Sequence, residues 1–147
     1  MIQVKADNNL FYLCSLIEYI GRETKNKRCD IVNLLGKKVI EHIFNYADVF
    51  HCEPIATVAS KFIEEYKIPK GMFDNVSACK YNIPDYWSIG AVYQRLIEDL
   101  SHDNLIDKLI EVYNSWITEY IDNYNMAVYY MTPQYLKLCY EEGKILE

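Results

Sequence analysis

The side chains best equipped for chemistry crowd into one short stretch, Tyr46-Ala-Asp-Val-Phe-His-Cys-Glu-Pro54. It offers a phenol, a carboxylate, an imidazole, a thiol and a second carboxylate. A thiol nucleophile needs a base within hydrogen-bond reach and a third group to orient that base. His51 and Cys52 are neighbours in sequence, but neighbours on a helix point about 100° apart, so adjacency does not make a dyad. The three histidines, His42, His51 and His102, show no HxxxH or HExxH spacing. Asp99, His102, Asp103 and Asp107 fall at near-helical steps, yet a metal centre in a bundle draws further carboxylates from partner helices. The chain lacks a Walker A loop, a GxGxxG turn and a GxSxG elbow. No cofactor is expected, and enzymatic activity is the less favoured class. The group Tyr46, Asp48 and His51 is retained as a candidate for holding a partner or a small ligand.

The elements that must position these groups read as helices. Leu10, Leu13, Cys14, Ile17 and Ile20 recur at helical spacing after the cap-type residues Asp7-Asn8-Asn9, with Gly21 as a stop. The basic run from Arg22 to Arg28 reads as a solvated loop. A short helix over Ile31–Leu35 ends at Gly36, and a second runs from Lys37 to about Phe50. That pair invites a helix-turn-helix reading, which the acidic character of the chain disfavours. Pro54 suits the first turn of the next helix, whose stripe is Ile55, Val58, Ala59, Phe62 and Ile63. Residues 69–85 show no clear period and read as a long irregular segment, with a short strand near Val76–Tyr81 as an alternative. A stripe from Tyr86 to Leu100 follows, then a helix capped by Ser101 that runs towards Tyr124. The last helix has Thr132 at its cap, Pro133 in its first turn and Gly143 beyond its end. The expected fold is all-α, about seven helices in one compact bundle over residues 1–147. A subdivision into residues 1–70 and an acidic, Tyr-rich half, 84–147, is the alternative.

Charge separates the two halves. Residues 1–75 carry ten Lys/Arg and ten Asp/Glu, whereas residues 76–147 carry five against eleven, so the whole net charge of −6 lies in the second half. That disfavours binding to nucleic acid, which depends on cations meeting phosphates, and suits a basic protein partner. Asp99, Asp103, Asp107 and Glu111 are the candidate acidic contacts. Fourteen tyrosines in 147 residues is roughly three times ordinary usage. Tyrosine serves interfaces, with a partner or between copies of the chain, and equally the edges of a core. The five cysteines are widely spaced without a CxxC pair, which fits free thiols and a cytoplasmic setting. No signal peptide and no membrane partner are expected.

The first half also resembles a family of short bacterial helical proteins of unknown function. The resemblance rests on Phe11-Tyr-Leu-Cys14, Ile17-Glu18-Tyr19, Asp30-Ile-Val32 and Tyr46-Ala-Asp48-Val49-Phe50-His51, and covers about residues 10–68. Some members are encoded beside ADP-ribosyltransferase-like toxin genes. The resemblance therefore implies an accessory or antitoxin-like role, with no reaction attached. The expected function is a non-catalytic protein-interaction module. Alternatives are a phage-type inhibitor presenting its acidic surface to a nucleic-acid-binding enzyme, and a small-ligand or enzymatic site near Tyr46, Asp48 and His51.

Overall fold

A computed structural model describes the backbone of residues 2–147 and the side chains of residues 5–147. The chain is all-helical. Nine α-helical segments and one 3-10 turn occur among the described residues, against the seven expected, and no strand is formed there. The difference comes from single-turn helices that periodicity cannot register.

The organising element is α1 (Ile2–Thr24). It was read as a one-faced helix starting after Asp7-Asn8-Asn9, but it runs straight through those residues and is buried all round over its middle. Leu10, Tyr12, Leu13, Cys14, Leu16, Ile17 and Ile20 are all inaccessible or nearly so. A helix apolar on every side belongs at the centre of a core. It is covered by α2 (Arg28–Asn45), α3 (Ala47–Phe50), α4 (Ile55–Glu65) and α6 (Tyr86–Leu100). The α6 contact is the most extensive. Gly90 permits it, since a Cβ there would lie 2.3 Å from Ser15 Oγ and 2.9 Å from the Ser15 backbone.

Gly21 does not stop α1. It lies inside the helix because the Arg28 side chain packs over it, 2.4 Å from where a Cβ would stand. The helix ends instead at Lys25, in the left-handed region with φ 58°, where Asn26 N–H donates to Gly21 O at 3.1 Å. That is a Schellman-type closure. Gly36 does break α2, with φ 82° and ψ 164°, as its spacing suggested. Pro54 sits one residue before α4 rather than within it.

The segment 69–85 is irregular apart from one turn of helix, α5 (Asn75–Ala78), which replaces the alternative strand. It is tied down closely. Asn26 Nδ2 donates to Pro69 O at 2.7 Å, and the amides of Gly71 and Phe73 donate to the carbonyls of Thr24 and Lys25. The next helix, α7 (Leu105–Tyr113), is capped by Asn104, whose Oδ1 accepts from Asp107 N, and not by Ser101. It ends at Tyr113 instead of continuing towards Tyr124. A single turn, α8 (Thr118–Ile121), and a 3-10 turn at Val128–Tyr130 fill the interval. The last helix, α9 (Pro133–Glu142), has Thr132 as its cap, Pro133 in its first turn and Gly143 at φ 77°, as its sequence announced.

The run read as a solvated basic loop is the largest departure. Arg28 is buried completely, and Arg22 is partly buried. Arg28 reaches back from the start of α2 to α1, where Nε and Nη2 donate to Glu18 Oε1 and Oε2, each at 2.9 Å. Arg22 Nε donates to the same Oε2 at 2.7 Å, and the Tyr124 hydroxyl donates there as well. Arg28 also donates to Asn26 O and to Asn75 Oδ1, while Asn75 Nδ2 donates to the backbone carbonyl of Asp122. Buried charges persist when paired and hydrogen-bonded in this manner. Burial would raise Glu18, but the two guanidiniums outweigh it and hold the carboxyl below its ordinary range.

Asp122 behaves oppositely. It is buried, accepts from the Tyr93 hydroxyl at 2.8 Å, and is pushed up to about 7 by burial and then by the Glu18 charge. Glu98 is also raised to about 7, by burial and by its hydrogen bond with Asp7. Below pH ~4 these carboxyls are protonated whether the chain is folded or not. Between pH ~4 and ~7 the unfolded chain releases protons that the folded chain keeps, so stability falls, and above ~7 it levels off. Loss of stability at lower pH comes from Glu18, as protonation reaches its depressed range. Urea denaturation is expected to place maximal stability near pH ~4, with a decline on the order of 4 kcal/mol by pH ~8, mostly from Asp122 because Glu98 is only half-buried. Asp122→Asn keeps an acceptor for Tyr93, and its profile should flatten between those limits. An unchanged slope in that variant would remove Asp122 as the cause.

Candidate binding groove

Two of the three residues singled out on the His51 stretch converge on one surface. Asp48 and His51 line an open groove of about 930 Å³ with Asn9, Tyr12 and Trp87. The third does not join them. Tyr46 is half exposed and turns to the His42 ring, 4.8 Å between centroids. The reason is local. Tyr46 is the joint between α2 and α3, with φ −115° and ψ 23°, so its side chain leaves on the α2 side.

Each wall of the groove comes from a different element. Tyr12 comes from α1, His51 from the end of α3, and Trp87 from the first turn of α6, which Asp85 starts by accepting from Ser88 N at 2.7 Å. The rings form a continuous lattice. Phe11 and Trp87 lie 5.3 Å apart, Tyr12 and His51 5.7 Å edge to face, and His51 and Trp87 6.5 Å edge to face. Tyr86 continues it, 4.8 Å from Trp87 and 5.1 Å from Tyr19. Ring pairs at such separations gain about 0.5–1.5 kcal/mol beyond burial, so the surface is stiff before anything binds.

The Tyr12 hydroxyl is buried in this wall with no hydrogen-bond partner, and burial together with the Glu53 charge pushes it up to about 12. An unmet buried hydroxyl costs about 1–3 kcal/mol. Cys52 is not among the lining residues, and its thiol donates to the Asp48 carbonyl on its own helix at 3.5 Å. A second depression, lined by Tyr19, Tyr86, Pro54 and Ile55, shares Tyr12, His51 and Trp87 with the first. The two adjoin at these three side chains, and the pair makes up the aromatic channel. Along α1 it runs from Lys5 to Tyr19, about 21 Å at the helical rise. Tyr12, Tyr19 and Trp87 carry no local signal as site residues, because only the packing of α6 on α1 brings them together.

The acidic candidates on the second half are arranged differently. Asp107 pairs with Lys37 at 2.7 Å, and Glu111 pairs with Lys108 at 2.8 Å while accepting from the Tyr140 hydroxyl. Asp99 and Asp103 are exposed. Two of the four acids are therefore matched by nearby cations, and the stripe is not a uniform negative field. Among the described residues no group of three or more His, Cys, Asp or Glu side chains could hold a metal ion, and no helix is long and apolar enough to cross a membrane. Cys14 and Cys139 are buried in the core as small apolar side chains. Comparison of the chain with known protein families, curated proteins and solved structures finds no match.

Proposed function

We propose that this protein is a non-catalytic binding module, and that its working surface is the aromatic channel over α1, with an extended segment of a protein partner as occupant. The observation that carries the reading is that two depressions share Tyr12, His51 and Trp87 and together span about 21 Å along α1. That length matches about six residues of extended chain rather than a compact metabolite. Aromatic rings give interfaces large contact area at low entropic cost, and the rings here are already locked against one another. Asp48 at one edge supplies a polar contact to a segment that carries donors. The resemblance noted above makes the product of an adjacent gene the first partner to test, and an antitoxin-like or regulatory role the first case of this function.

Trp87 is one of two tryptophans, so Trp116→Phe leaves a single reporter inside the channel. Titration of that variant with the co-expressed neighbour, or with selected peptides, should shift Trp87 fluorescence. The double variant His51→Ala, Trp87→Ala should weaken binding by at least tenfold while circular dichroism stays unchanged. Replacement of Asp99 and Asp103 by lysine should leave that affinity intact. Full affinity in the folded double variant would overturn the assignment, and loss on reversing the two aspartates would favour the acidic surface instead.

A further inference from the structure

A second cavity, of about 470 Å³, shares no lining residue with the aromatic channel. Four buried polar side chains reach it: Arg28, Asn75, Asp122 and Tyr124. Three of them are committed elsewhere. Arg28 spends its donors on Glu18, Asn26 O and Asn75, while Asn75 is bonded through both ends of its amide, and the Tyr124 hydroxyl donates to Glu18. Asp122 is the exception. Tyr93 donates to Oδ1, and no hydrogen bond reaches the other carboxylate oxygen.

At the mouth the Thr118 hydroxyl uses its proton on Ser115 O and Glu119 is an exposed acceptor, while the side-chain oxygens of Asn123 and Asn125 already accept from Asn125 N and Lys80 N. Lys27 and the Asn123 amide are exposed donors on the rim, whereas the unused group inside, the second oxygen of Asp122, is an acceptor. A buried acceptor of this kind calls for a ligand that donates. Phe73 and Ala78 line the same cavity and suit a short apolar body. We propose that this cavity binds a small organic cation, an amine or amidinium carrying a flat or short apolar group, with its N–H groups on the free oxygen of Asp122.

The groups that face Asp122 come from five elements: Glu18 and Arg22 on α1, Arg28 on α2, Tyr93 on α6, Tyr113 on α7 and Tyr124 beyond α8. The tyrosines stay neutral, the arginines stay charged and Glu18 is held low, so within this cluster Asp122 is the group that titrates near neutrality. A cation requires the ionised carboxylate. With Asp122 at about 7, its ionised fraction rises about tenfold between pH 6 and pH 8, and affinity follows it.

Calorimetric titration of the full chain with benzamidine and with its neutral analogue benzamide tests this. Benzamidine should bind about tenfold more tightly at pH 8 than at pH 6 and more tightly than benzamide at pH 8, and Asp122→Asn should abolish its binding. Absence of benzamidine binding at millimolar concentration, equal affinity for benzamide, a flat pH profile, or full affinity in a folded Asp122→Asn variant would each overturn the proposal. If that variant does not fold, the pH ratio and the benzamide comparison in the native chain decide.

Discussion

Replacing Glu18 by Gln or Ala is expected to destabilise the fold by about 3–5 kcal/mol in urea denaturation, the scale set by stripping a buried ion pair of one partner. The carboxylate is 1 % exposed and carries Arg28, Arg22 and the Tyr124 hydroxyl together. Its loss leaves the Arg28 guanidinium without a counter-charge in a site that water does not reach, and Arg22 without its partner beside it. Arg22→Met should cost less than half as much, because Arg22 keeps some solvent contact and its removal leaves Glu18 with Arg28. The order of the two effects is the diagnostic. If Glu18→Ala lies within about 1 kcal/mol of the native chain, the network is not a determinant of stability.

Gly90→Ala should cost about 3 kcal/mol or more, at the upper end of overpacking effects. The added methyl meets Ser15 Oγ at 2.3 Å, which a rotamer change can relieve, and the Ser15 Cα and N at 2.9 Å, which only movement of α6 off α1 can relieve. Ser15→Ala in the same chain should therefore rescue Gly90→Ala only in part. By itself Ser15→Ala should be neutral or gain up to about 1 kcal/mol, because the Ser15 hydroxyl is buried without a hydrogen-bond partner. Full rescue would place the clash on the side chain alone and disprove the close backbone approach.

Legibility in the sequence followed the physics of each element. The last helix was readable because its signals are local: a capping threonine, a proline that needs no amide bond, and a glycine at positive φ. The start of α1 was misread because Asp7-Asn8-Asn9 are cap-type residues that tertiary packing overrode, Asn9 being buried in mid-helix. The basic run was misread for a related reason. Charged residues in series usually face water, and what holds Arg28 inside comes partly from Asn75 and the Asp122 region, far along the chain. One clue was available, since Glu18 stands alone among Leu16, Ile17 and Ile20, and a lone carboxylate in an apolar run requires a cation.

The site divides in the same way. Asp48 and His51 drew attention through their chemistry, and the channel takes both. Tyr46 looked equivalent but lies across a helix joint that spacing could not reveal. Tyr12 and Trp87 have 74 residues between them, so only the α1–α6 packing makes them neighbours of one imidazole. Asp122 gave no local sign either, because its environment is assembled from α1, α2, α6 and α7.

The central place of α1 has a price during synthesis. The helix leaves the ribosome well before its main cover, α6, which begins at Tyr86, and the tyrosine that shares Glu18 lies 106 residues downstream. At about 5–20 residues per second, that interval is on the order of 5–20 s. Throughout it the nascent chain displays an apolar helix without its main cover to everything nearby. Closure around α1 thus waits on segments made much later, and a holdase that shields α1 during synthesis should raise the yield of native protein more than one acting on the completed chain.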